Sequence, residues 1–265
     1  MSNPRNDSLF FDFGCSMALS WVTSAGVREE NQDYLGVMII NEKNINIFLP
    51  GGETVETPNE NYSEEIVIGV ISDGVGGLPN GEVASNFVIR DFFRELSENN
   101  LNRKSLMNII EFSILTADQN LKKIHPGSGA TIVVFCIIGE NLFVTHAGDS
   151  RAYVKKENGH IWRTIDHAFS DVLYVEGKIT EVEAISHPMR GRINSCLGMK
   201  CELTTEELGS DWKTVLLSSD GYHSPFLTDT VSEDLDKSLD ELLQKSLDHD
   251  SKDNISILRI QKISH

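Results

Sequence analysis

The stretch Val67–Ser85, VIGVISDGVGGLPNGEVAS, decides how the rest of the chain is read. It opens as an apolar run, Val67 to Ile71, and then breaks into Ser72-Asp73-Gly74-Val75-Gly76-Gly77. An apolar run without alternation predicts a strand buried on both faces. Its end on a carboxylate, followed by three glycines within four residues, has two readings. Asp and Gly are good turn residues, and strands must stop. A carboxylate at the end of a buried strand, beside backbone that can approach closely, is also a place to hold a hard cation.

Outward from this stretch the periodicity changes. Val83, Ala84, Phe87, Val88, Phe92 and Leu96 recur at helical spacing, predicting a helix from Gly81 to about Ser97. A second helix is predicted over Lys104 to Lys123, and a third over Ser232 to Leu247 with Ser232 as its N-cap. Strands are predicted over Met17–Thr23, Tyr34–Ile40, Ile45–Leu49, Glu65–Ser72, Thr214–Ser219 and Ile255–Ile260. Two hairpins complete the set: Thr131–Ile138 with Leu142–Ala147, and Ala152–Lys156 with Ile161–Ile165. Pro50–Glu65 reads as a polar surface loop, and 167–200 as irregular. This order is not the strict alternation of a doubly wound parallel sheet. It predicts an α+β fold of two mostly antiparallel sheets packed together with helices outside, in a single domain spanning residues 1–265.

Composition narrows the function. The 265 residues carry a formal net charge of −17, with Lys and Arg scattered, which argues against a nucleic-acid binder. No run approaches the roughly 18 apolar residues of a membrane span. The start, MSNPRNDSLFFDFG, does not read as a signal peptide, so the expected location is the cytoplasm. Cys15, Cys136, Cys196 and Cys201 form no CxxC pair and are expected to be free thiols, Cys136 in the core.

Three aspartates share one context. Asp73 and Asp220 follow apolar strands, and Asp253 precedes one. If these strands are neighbours, the carboxylates meet at one edge of a sandwich. Like charges brought together raise each other's pKa, and a divalent cation removes that cost. An oxygen-only donor set suits magnesium, manganese or calcium rather than zinc. The alternative, that each Asp only caps a turn, stays open at this point.

Motifs in order along the chain carry a family resemblance. GVREENQD (Gly26–Asp33), SDGVGG, GSGATIVVF, THAGDSRAYV, DHAFSDVLYVEGKITEVEA, SHPMRGRINSCLG, LLSSDGYHS and DNISILRI resemble the motifs of the metal-dependent serine/threonine protein phosphatases of the protein phosphatase 2C family, especially short bacterial members. The resemblance runs from about Met17 to Ile260. It implies a four-layer αββα sandwich with a flap over about 168–190. It implies two or three manganese or magnesium ions at one edge, and attack on phosphorus by a metal-bridging hydroxide without a covalent phosphoenzyme. By position Asp73, Asp220 and Asp253 would hold the first metal, Asp73 and the Gly74 carbonyl the second, and Asp149 a weaker third. Arg28 would grip the substrate phosphate, as its bidentate fork allows. The implied partner is a phosphorylated protein, the substrate of a serine/threonine kinase, met by a monomer; a sporulation-type regulatory phosphatase is a variant of this reading.

Three positions depart from the family pattern. Gln32 stands where a second-metal glutamate is usual, Val75 where some members have a histidine, and Ser224 where an Asp often completes the third site. They predict weakened second and third sites with manganese favoured, and they motivate an alternative: a pseudophosphatase that binds a phosphoprotein without turnover. His125, His146, His160, His167, His187 and His223 are read as structural or surface residues, and Trp21, Trp162, Trp212, Met189 and Met199 as packing. Arg151 is read as a brace of its own hairpin.

Overall fold

The computed structural model describes residues 5–13, 15–59, 64–99, 105–249 and 251–263. Within them the chain forms β1 (Arg5–Phe13), β2 (Cys15–Ser24), β3 (Asp33–Ile40), β4 (Asn44–Leu49), β5 (Glu53–Pro58) and β6 (Ile66–Asp73). Two helices follow, α1 (Gly81–Glu98) and α2 (Leu106–Ile124). Then come β7 (Ile132–Ile138), β8 (Asn141–Ala147), β9 (Arg151–Lys156), β10 (Ile161–Arg163), α3 (Phe169–Val175) and α4 (Glu181–Ile185). The last part is β11 (Thr204–Gly209), β12 (Trp212–Ser218), α5 (Asp220–His223), α6 (Thr228–Asp234), α7 (Leu239–Asp248) and β13 (Ile255–Lys262).

The strands make two antiparallel sheets, ordered β1-β2-β13-β12-β9-β10 and β11-β8-β7-β6-β3-β4-β5. The opening stretch explains their stacking. On β6, Val67 and Ile71 face the other sheet, where Leu19, Trp21, Leu217 and Leu258 fill the interlayer core. Ile66, Ile68 and Val70 face outward and are covered by Val88 and Phe92 of α1 and Ile110 and Ile114 of α2. Side chains alternate along a strand, so only a strand covered on both faces needs to be apolar at every position. Each such side chain contributes about 1.5–3 kcal/mol by leaving water. Gly69 interrupts the run because a Cβ there would fall 2.3 Å from the Phe135 ring. A third apolar layer, with Tyr222, Val231 and Leu242, covers the outer face of the six-stranded sheet at Val22, Leu216 and Ile257. The result is the expected αββα sandwich. Among the described residues no helix is long and apolar enough to cross a membrane.

Several elements differ from the sequence reading. Pro50–Glu65 is not all loop: β5 pairs with β4 along its length although every residue of it is exposed. A charged edge strand has no buried face, so it leaves no alternation to read. The edge strands β1 and β11 were missed for a related reason, since their pairing with β2 and β8 is what defines them. The predicted helix Ser232–Leu247 is two helices. Ser238, not Ser232, is an N-cap: its hydroxyl accepts from Glu241 N while Glu241 reaches back to Ser238 N, a reciprocal capping box. Ser232 instead donates to Thr228 O within α6. The second hairpin is shorter than expected, with β10 ending at Arg163. Met199 is 53% exposed on a turn rather than packed, while Trp21 and Trp212 are buried and Trp162 half-buried. Cys136 is a buried free thiol; Cys15 lies among residues whose side chains are outside the described set.

Candidate active site

Antiparallel pairing puts the predicted carboxylates at one edge. β12 and β13 are direct neighbours running in opposite directions, so the residue after one and the residues before the other lie side by side. That places Asp220 next to Asp253. β6 of the facing sheet ends at the same edge on Asp73. The β2–β3 connection brings Arg28 and Gln32, and the β8–β9 turn brings Asp149. All of them, with Gly74, line one cleft of about 540 Å³.

Local geometry holds the cleft floor in place. Asp73 N donates to Thr131 Oγ1 (3.0 Å), and Thr131 N donates to Asp73 O (2.8 Å). Gly74 N donates to Gln32 O (3.1 Å). A Cβ on Gly74 would lie 2.5 Å from the Gly81 backbone, so the glycine is required by the close passage of the start of α1. Arg28 pairs with Asp253 through Nη2 (3.0 Å) and donates from Nε to Lys252 O (2.6 Å). Gln32 Oε1 packs against Gly81.

Electrostatics mark the site as short of positive charge. Burial, and then the neighbouring Asp33, Asp220, Asp149 and Asp253, push the Asp73 carboxyl well above the usual carboxylate range. Burial and the charge of Asp253 push Asp220 up to about 6, against the opposing pull of Arg190. Asp149 is raised by burial, then by Asp220 and Asp166. Two buried oxygens, Asp33 Oδ1 and Asp220 Oδ1, have no hydrogen-bond partner among the described residues. Among those residues no group of three or more His, Cys, Asp or Glu side chains is placed, as the side chains stand, to hold a metal ion. The Asp33 and Asp220 carboxyls each lie within hydrogen-bond reach of Asp73, and oxygens left without a donor, in an all-oxygen donor set, fit a hard divalent cation.

The sequence reading missed Asp33 as a site residue. It is 4% exposed, sits directly opposite Asp73 in the β3–β6 register, and accepts from Ser219 Oγ at 2.7 Å. Burial raises it to about 7, against hydrogen bonds from Ser219 and Ser256. The signal was present, since Asp33 is another aspartate at the end of an apolar strand. Arg190 was missed as well; it lines a second cavity of about 40 Å³ behind the cleft, with Asp149, Asp220 and Ser224. There Ser224 contributes a hydroxyl and no charge. Arg151 does more than brace its hairpin: it is buried and bonds Asp166 with both Nε and Nη2 at 2.7 Å, and Asp171 of α3 lies 3.8 Å away. His167 stacks on His146, with ring centroids 4.5 Å apart, and bonds Thr204 Oγ1 through Nε2. Neither ring lines the cleft.

Comparison with known proteins matches this architecture. The sequence model of the protein phosphatase 2C family matches residues 40–173. The serine/threonine phosphatase stp of Listeria welshimeri is 25% identical over 223 residues, covering 77% of this chain and 87% of its own. The crystal structure of serine/threonine phosphatase Stp1 from Staphylococcus aureus superposes with a TM-score of 0.74 at 26% identity, over 93% of this chain and 95% of that one. The catalytic domain of PstP, solved in complex with 2 manganese ions, shares the fold at TM-score 0.70 and 23% identity, over 94% and 99% of the two chains. The αββα sandwich is the fold this chain shares with those serine/threonine phosphatases. The chain belongs to the protein phosphatase 2C family.

Proposed function

We propose that this protein is a manganese- or magnesium-dependent phosphatase that hydrolyses phosphoserine and phosphothreonine in proteins. The observation that carries the reading is the convergence of Asp73, Asp220 and Asp253 beside Arg28 in one cleft, with Asp220 Oδ1 buried and unpartnered. Asp73, Asp220 and Asp253 would hold a first cation, Asp73 and the Gly74 carbonyl a second, and Asp149 a third. Cations held there would lower the pKa of a bound water and so supply hydroxide near neutral pH. Arg28, exposed at the cleft rim, is placed to take two phosphoryl oxygens in its guanidinium fork. Its present partner, Asp253, is a half-exposed ion pair worth about 0–1 kcal/mol, so a phosphate can displace it.

Gln32 can orient a ligand water but brings no charge, and Ser224 leaves the rear cavity without a further carboxylate. Both support weaker second and third cation sites, with manganese held more tightly than magnesium. No titratable side chain stands at Val75, so the proton for the leaving alkoxide has to come from water or from another group of the cleft. A phosphoprotein binder without turnover has no need for the complete set of Asp73, Asp220, Asp253 and Arg28, and the substrate of a serine/threonine kinase is the natural partner of the enzyme. The test is phosphate release from a phosphothreonine peptide in manganese, with EDTA-treated protein and Asp220→Asn as controls. Loss in both controls supports the proposal. A wild type as silent as Asp220→Asn, with manganese still bound, overturns it in favour of the binder.

A further inference from the structure

The β2–β3 connection that carries Arg28 and Gln32 is held against the start of β13 by Asn254, and at its exposed tip by Arg28 itself, which bonds Lys252 O and Asp253. Asn254, 3% exposed, uses both Nδ2 hydrogens, donating to Ala25 O (3.0 Å) and Glu30 O (2.8 Å). Its Oδ1 accepts from Gln32 N (2.8 Å). The three backbone groups bracket Arg28 on both sides. Gly26 completes the contact: its φ of +59° suits glycine, and a Cβ there would lie 2.6 Å from Asp253 O.

We propose that Asn254 is the positioning residue of the phosphate-gripping loop, and that its amide rather than the Arg28–Asp253 ion pair sets where Arg28 stands. Magnitudes decide between the two clamps. The ion pair is open to solvent, with side chains 54% and 43% exposed, and exposed pairs hold little. It also engages both groups that the reaction needs, so it cannot persist while they work. The Asn254 bonds are buried or part-buried, uncharged and made to backbone, and both amide hydrogens are already engaged at the cleft wall. Buried amides keep such bonds because unpaired partners are costly. The same residue backs the other wall of the cleft, where a Cβ on Gly221 would fall 2.0 Å from Asn254 O.

The proposal rests on the phosphatase reading for its kinetic arm, and a second arm is independent of turnover. The kinetic arm is a double-mutant cycle of Asn254→Ser with Arg28→Lys, measured on a phosphothreonine peptide in manganese. Alone, Asn254→Ser is expected to raise KM about tenfold, the scale of one or two lost buried hydrogen bonds, with a smaller change in kcat. In the Arg28→Lys background the further rise is expected to be less than about twofold, because the loop no longer presents the fork. Gly26→Ala, which pushes the loop away without touching the amide, is expected to reproduce the KM rise and serves if Asn254→Ser does not fold. The second arm is hydrogen exchange: the Gln32 amide is expected to exchange at least about tenfold faster in Asn254→Ser, while Ser219 N, bonded to Ser256 O, is unchanged. KM effects that multiply in the double variant, or unaltered exchange at Gln32, overturn the proposal. A wild type without activity that still shows the exchange effect refutes the phosphatase reading and leaves the positioning role of Asn254 standing.

Discussion

Removing a carboxylate from the cleft is expected to stabilise the protein when divalent cations are withheld. Asp220 is the cleanest case. Its carboxyl titrates at about 6 in the fold against an ordinary 3.8. The folded state therefore binds the proton more tightly than the unfolded state, and the stability this gives is complete below about pH 4. It is lost as pH rises through 4 to about 6, because the fold must then carry a buried charge among like charges. At about 1.4 kcal/mol for each pH unit between the two values, the loss approaches roughly 3 kcal/mol by pH 7. Coupling to Asp73 and Asp253 shares this cost, so about 1–3 kcal/mol is expected for Asp220→Asn in EDTA, an increase of several degrees in Tm for a chain of this size. The assay is thermal unfolding of both proteins in EDTA at pH 4.5 and pH 7.5, repeated with manganese. The variant should gain over wild type at pH 7.5 and much less at pH 4.5. With manganese the order should reverse, because the cation stabilises the protein that binds it. A variant less stable than wild type at pH 7.5 in EDTA, or a difference independent of pH, would refute the electrostatic account of the cleft.

Arg28→Lys should raise KM for a phosphothreonine peptide by about tenfold while leaving the melting temperature in EDTA nearly unchanged, because the bidentate fork is lost while the bonds given up, to Asp253 and Lys252 O, are exposed. Asp166→Ala should destabilise by about 3–5 kcal/mol, read by urea unfolding, since it leaves the buried Arg151 guanidinium without its two 2.7 Å partners. Ser238→Ala should cost about 1 kcal/mol through the lost cap of α7, and Ser232→Ala clearly less, which separates the observed helix break from one continuous helix. Gly74→Ala should abolish manganese-dependent stabilisation, measured as the Tm difference with and without the ion, because its Cβ meets the Gly81 backbone at 2.5 Å.

The sequence by itself determined the layers. β6 could be read as doubly buried because its apolar side chains face α1 and α2 on one side and the second sheet on the other, and that burial dictates composition residue by residue. The first helices and the central strands were legible for the same reason. The aspartates at strand ends were legible too, as local breaks in apolar runs. What carries no burial signature was not legible: β5, exposed throughout, and the division between α6 and α7, where Asp234 is buried against Lys237 and Lys245. Only the tertiary structure decided which carboxylates share a space. The antiparallel register that sets Asp33 opposite Asp73, and β12 beside β13, joins residues far apart in the chain through backbone hydrogen bonds, and no local pattern encodes that pairing. The clasp of Asn254 on the Arg28 loop is of the same kind: three hydrogen bonds spanning more than two hundred residues, visible only once the sheet has brought both ends of the chain to one edge.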